Sequence, residues 1–154
     1  MMNSIEIQQE IASDDVPDSG LLQTWVDAAL KDYPDDTELV IRIVDKPEIS
    51  QLNEHYRAKP GPTNILSFPF DVPDYIETNL LGDLVVCAPV LAEEALAQHK
   101  TLEHHWAHII VHGVLHLLGY DHVEDNEAEL MEAKEIEILA QLNIDNPYNE
   151  ANEV

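Results

Sequence analysis

Between residues 112 and 122 the chain reads HGVLHLLGYDH, which sets His112, His116 and His122 within eleven residues, with glycines at 113 and 119. If the first part of this run is helical, His112 and His116 stand at i and i+4 on adjacent turns, the spacing by which one helix chelates zinc. Gly119 lets the chain reverse. Three further residues then carry His122 back by up to about 10 Å, enough to supply a third ligand from off the helix. Three neutral imidazoles leave a tetrahedral ion with one open position, the arrangement of catalytic rather than structural zinc. An ion so held acidifies a water and polarises a phosphoryl or carbonyl oxygen, so hydrolysis is the natural chemistry. The same donors accept nickel, copper or iron, and the expectation is one transition-metal ion per chain, zinc first.

Zinc proteases with the frame H-E-x-x-H-x-x-G-x-x-H carry a general-base glutamate where this chain has Gly113. Without that base, peptide hydrolysis is the weaker expectation. Phosphodiester cleavage depends less on it, because a metal and an arginine can stabilise charge on the phosphate oxygens. Arg57, in NEHYRAKPGPTNILSFPF, is the arginine chosen for that clamp. Asn64 and Asp83 are further candidates for a cleft wall. Asp121 either orients a ligand imidazole or is an ordinary turn residue.

Elements must hold these side chains. On a helical projection His105, His108, His112 and His116 fall within a sector of about 80°, while Trp106, Ile109, Ile110, Val111, Val114, Leu115, Leu117 and Leu118 cover most other directions. The helix is therefore expected in the core, with a polar stripe satisfied inside the fold. His105 and His108 are read first as core or capping residues, with hydrogen-bond donors behind the metal ligands or lining of the cleft as the weaker alternative. Helices are expected at about 89–99, 101–118 and 125–142, and, earlier, over DSGLLQTWVDAALKD and 47–57, the latter capped by Asp45. Strands are expected at 4–11, 38–44, 63–70 and 80–88. The run ELVIRIV suits a strand buried on both faces, and Pro69 suggests that the third strand ends or runs along an edge there. The Pro-rich stretch 69–79 reads equally as a flap or as a surface crossover. Strands alternating with helices imply an α/β (α+β) fold with a mixed, largely parallel sheet.

The length, 154 residues, suits one domain spanning 1–154. No apolar run approaches the roughly 18 residues of a membrane span, and the N-terminal stretch lacks a secretory pattern, so a cytoplasmic protein is expected. The single cysteine, Cys87, sits in LVVCAPV and reads as a small buried hydrophobe. Charge is the unusual property: 31 acids against 7 bases give a net charge of −24. That repels polyanions at long range, so such a substrate needs a local basic patch, for which Arg42, Lys46, Arg57 and Lys59 are the candidates. The acid-rich run EDNEAELMEAKEIE reads as a solvated helix face.

Taken together, HGVLHLLGYDH, YRAKPGPTNILSFPF and LLGDLVV resemble the bacterial YbeY family of metal-dependent endoribonucleases, over nearly the whole chain. The resemblance implies a four-stranded mixed sheet packed with helices, with metal ligands at His112, His116 and His122. It implies catalytic roles for Arg57 and His112, and it makes the glycine at 113 part of the pattern. It further implies a cytoplasmic enzyme acting on single-stranded RNA in ribosomal RNA processing, including maturation of the 16S 3′ end, and in ribosome quality control. The expected partners are rRNA, the small ribosomal subunit and its assembly proteins, with no DNA and no membrane. The acidic surface adds the expectation of weak, salt-sensitive affinity for free RNA and delivery through ribosome contacts. The rival readings are a non-catalytic ribosome assembly factor stabilised by zinc and, more distantly, a metalloprotease-like hydrolase.

Overall fold

Alternating apolar residues and apolar stripes at helical spacing divide the chain into nine elements. They are β1 (Asn3–Gln9), α1 (Ser19–Ala29), β2 (Thr37–Val44), α2 (Lys46–Arg57), β3 (Ile65–Pro69), β4 (Leu80–Cys87), α3 (Ala88–Ala97), α4 (Leu102–Leu117) and α5 (Asp125–Gln141). The structure is a computed structural model and describes residues 2–73, 75–76, 78–120 and 124–148. Helix starts follow local chemistry: the carboxylates of Asp18 and Asp45 and the hydroxyl of Thr101 accept from the N–H groups of Leu21, Glu48 and His104. The stop of α4 does so as well. Gly119 adopts φ 102°, and the N–H groups of Gly119 and Tyr120 donate to the carbonyls of His116 and Leu115, both at 3.0 Å.

The four strands form one sheet in the order β1-β2-β4-β3, with β1·β2 and β2·β4 parallel and β3·β4 antiparallel. The expected mixed, largely parallel sheet is therefore present, and β3, ending at Pro69, is an edge strand. Gly82 marks an irregularity. The pairing with β2 skips a residue between Leu80 and Gly82, and Gly82 takes φ 149° with the Phe68 carbonyl where a β-carbon would go.

Helix α4 is the hub of the larger core. Trp106, Ile110, Val114 and Leu115 are buried with Leu22 and Trp25 of α1, Leu39, Ile41 and Ile43 of β2, Leu84 and Val86 of β4, and Met131 and Leu139 of α5. The opposite sheet face carries a smaller cluster, in which Leu66, Val85 and Cys87 meet Ile49 of α2. Two expectations are corrected here. β2 is buried on one face only, because α2 covers just part of the other; Val40 and Arg42 there are half-buried. Of the expected basic patch, Arg42 is held by Glu48 at 2.6 Å and Glu10 at 2.8 Å, and Lys46 pairs with Glu93. Phe70, Tyr75 and Ile76 of the 69–79 stretch are exposed. Among the described residues no helix is long and apolar enough to cross a membrane.

Candidate metal centre and its cleft

Helix α4 is buried on nearly all sides, and the imidazoles near its C-terminal end open where the sheet ends. His112 and His116 emerge beside the edge strand β3, in a cleft of about 450 Å³ lined also by Tyr56, Arg57, Asn64, Ser67, Phe68 and Pro69. Ile65 packs in the core on the α4 side of β3, and Leu66 in the cluster beneath α2. Both line the cleft, so it runs along the edge of β3 that no strand occupies. Arg57 reaches it from the last residue of α2. The chain turns away immediately afterwards, with Ala58 in the left-handed conformation at φ 55°.

The two ring Nε2 atoms of His112 and His116 face each other at 3.1 Å. Two nitrogens bound to one tetrahedral zinc at 2.0–2.1 Å lie about 3.3 Å apart, so this pair fits such an ion after a shift of a few tenths of an ångström. The other ring nitrogen of His112 is already committed. Its Nδ1–H donates to Glu135 Oε1, which fixes the tautomer and makes Nε2 the acceptor that faces His116. His122, the expected third ligand, and Asp121 lie outside the described residues. Among the described residues no set of three or more His, Cys, Asp or Glu side chains is arranged to hold an ion.

Glu135 corrects the reading of the acidic run. Most of α5 is a solvated face, but this carboxylate is fully buried. Tyr148, from the C-terminal segment, donates its hydroxyl to Glu135 Oε2. Since that hydroxyl has one proton, His108 Nε2, 3.2 Å away, must donate to the Tyr148 oxygen. Burial by itself would push the Glu135 carboxyl up, yet His108, His112 and Tyr148 override it and bring it down to about 2. Burial and the neighbouring carboxylate hold the Tyr148 phenol above its usual range. Burial keeps His108 below the ordinary histidine value, only partly offset by Glu135. The result is an ionised, fully enclosed carboxylate behind the imidazole pair.

A signal for Glu135 existed in the sequence. Met131, Glu135, Ile138 and Leu139 stand at i, i+4, i+7 and i+8, so the glutamate occupies an apolar position of the core-facing stripe. His105 is buried in the core as expected, its Nε2–H donating to Glu94 Oε1 at 2.8 Å. The Asn64 amide donates to the same carboxylate at 3.3 Å, which ties the cleft wall to α3 and α4. His108 takes the weaker of the two expected roles, joining the shell around Glu135. Asn64 lines the cleft; Asp83 does not, because it faces solvent on the strand behind β3.

Gly113 answers the question raised by the missing glutamate. A β-carbon there would lie 2.6 Å from Ile65 Cδ1 and 2.9 Å from Leu84 Cδ2. The position is pressed against the sheet, so any side chain must first displace β3 and β4 packing. Arg57 is exposed and makes no ion pair among the described residues, unlike Arg42, Lys46 and Lys134. The cleft thus combines a chelating pair of imidazoles, one available guanidinium and a wall of mixed polarity. That set can bind a metal ion and the phosphate it would activate.

The chain is similar to known proteins over most of its length. The model of the family described as endoribonuclease YbeY matches residues 4–143. A protein of Alteromonas mediterranea named endoribonuclease YbeY is 54% identical over 151 residues, covering 94% of this chain and 96% of that one. One of the same name from Methylococcus capsulatus is 54% identical over 142 residues, covering 92% and 93%. Among solved structures, the solution structure of TM1509 from Thermotoga maritima superposes with a TM-score of 0.57 at 26% identity, covering 92% of each chain.

Proposed function

This chain belongs to the endoribonuclease YbeY family, and from that membership we propose that it is a zinc-dependent, single-strand-specific endoribonuclease of ribosomal RNA processing. Its proposed substrate is the precursor of the 16S 3′ end, and its proposed setting is the cytoplasm, on the small ribosomal subunit and among assembly proteins during maturation and quality control. The observation that carries this reading is the single cleft holding Arg57 of α2 together with His112 and His116 of α4.

We assign the ion to His112, His116 and His122. A bound zinc supplies Lewis acidity toward a phosphoryl oxygen and acidifies a water. The chain's own residues do the rest. Arg57 offers two parallel N–H donors to the non-bridging oxygens and offsets the charge that builds on phosphorus. Glu135 keeps His112 in the tautomer that leaves Nε2 available. With Gly113 excluding a glutamate base, the nucleophile is either water or the RNA 2′-OH, and only the second route leaves a cyclic phosphate first. End-group analysis of the products separates the two.

The test compares cleavage of a single-stranded RNA bearing the 16S 3′ end by the parent protein, His116→Ala and Arg57→Ala, with zinc measured on the same samples. The expected result is cutting lost in both variants and metal lost only in the first. Equal cutting by all three would point to a contaminating nuclease and return weight to a zinc-stabilised assembly factor.

A further inference from the structure

The cleft has few cations with which to hold an RNA strand. Arg42, Lys46 and Lys134 are occupied by acids and Lys100 donates to the Pro147 carbonyl, which leaves Arg57 lining the cleft and the exposed Lys59 two residues beyond it. In a chain of net charge −24, phosphate contacts alone are a poor source of affinity. Substrate must be gripped by something that does not depend on charge.

Tyr56 supplies it. It is one residue before Arg57 on the last turn of α2, lines the same cleft as the imidazole pair, and is 61% exposed. Its ring is not loose. It packs T-shaped with Phe68 of β3, with centroids 5.1 Å apart and planes at 69°, and with His55 at 4.6 Å and 88°. An aromatic ring held by two ring neighbours yet 61% exposed can offer its free surface to a flat ligand. Nucleobases stack on such rings only when unpaired, since in a duplex their faces are already taken.

We infer that Tyr56, supported by Phe68, is the subsite that stacks an unpaired nucleobase next to the phosphate held at Arg57, and so makes the cleft select single strands. The inference rests on the ribonuclease reading above and deepens it by naming the residue that reads strandedness. Tyr56 touches substrate but no reacting atom. Its loss therefore acts on substrate capture, seen in KM and kcat/KM, and leaves zinc content unchanged.

The experiment is a cycle between protein and RNA. The zinc-loaded parent, Tyr56→Leu, Tyr56→Phe and Tyr56→Trp are assayed on a short single-stranded RNA and on copies with one abasic nucleotide placed in turn on each side of the cut. Leucine still covers Phe68, so folding is kept while the flat face is removed, and equal melting temperatures check this. Tyr56→Leu is expected to lower kcat/KM about tenfold or more on intact RNA, with the loss mainly in KM. Phenylalanine and tryptophan are expected to restore it. One abasic position should cost the parent a similar factor and cost Tyr56→Leu almost nothing, because the same contact is already gone. Full activity in Tyr56→Leu, or losses that simply multiply at every abasic position, would overturn the stacking subsite while leaving the ribonuclease reading standing. Absence of any cutting by the zinc-loaded parent would overturn both.

Discussion

Replacing Glu135 by glutamine tests how the imidazole pair is kept ready for metal. The change is nearly isosteric, so packing around α5 is preserved, but a carboxylate that accepts from both His112 Nδ1–H and the Tyr148 hydroxyl becomes a group with one oxygen and one NH₂. Either one donor then faces the NH₂ unsatisfied, or Tyr148 must accept from it and turn its proton to a His108 switched to its other tautomer, at a site with 0% exposure. An unsatisfied buried donor costs about 1–3 kcal/mol. The same order follows from metal-site chemistry, where loss of a partner behind a ligating histidine weakens affinity roughly 10–100-fold, or about 1.4–2.7 kcal/mol. Competition with a chromophoric chelator should therefore show zinc affinity reduced by one to two decades. Acid stability of the chelator-treated protein gives an independent reading. Glu135 titrates at about 2 when folded against 4.5 unfolded, a difference worth roughly 3 kcal/mol. Because the folded value is depressed, that stabilisation is complete above pH 4.5 and disappears as the pH falls toward 2. The parent should lose it across this window and Glu135→Gln should not. Zinc affinity within threefold of the parent, together with parallel acid-unfolding curves, would refute the assigned role.

Three other outcomes follow from the geometry. Gly113→Ala should destabilise the fold by about 1–3 kcal/mol in denaturant titrations, because its β-carbon would meet Ile65 and Leu84 below van der Waals distance, though flexible side-chain ends there can yield. Gly82→Ala should cost more, about 3 kcal/mol or above, since a β-carbon would sit 2.2 Å from the Phe68 carbonyl oxygen, which is backbone, at φ 149°. With Arg57 as the main phosphate contact, the slope of log affinity against log salt for single-stranded RNA should be shallow, and Arg57→Ala should reduce it by about 0.7. Filter-binding across a salt series measures that slope, and an unchanged value would remove Arg57 from the phosphate site.

Local chemistry in the sequence determined much of this protein. The caps at Asp18, Asp45 and Thr101, the stop at Gly119 and the imidazole stripe of α4 depend on residues within a turn or two of one another, so their periodicity is visible without the fold. The pairing of His112 with His116 is of the same kind, being fixed by helical rise alone. Tertiary structure decided what depends on distant partners. That β3 lies antiparallel at the sheet edge, leaving a cleft beside α4, follows from which strand β4 recruits, and nothing within ILSFP encodes it. The neutralisation of Arg42 and Lys46 arises from acids just after β1, on α2 and on α3, whose approach is set by packing. Glu135 shows the division within one residue. Its place on the apolar stripe of α5 was legible, but its charge is tolerated there only because α4 and Tyr148 bring two donors to it, and burial without them would have left it uncompensated.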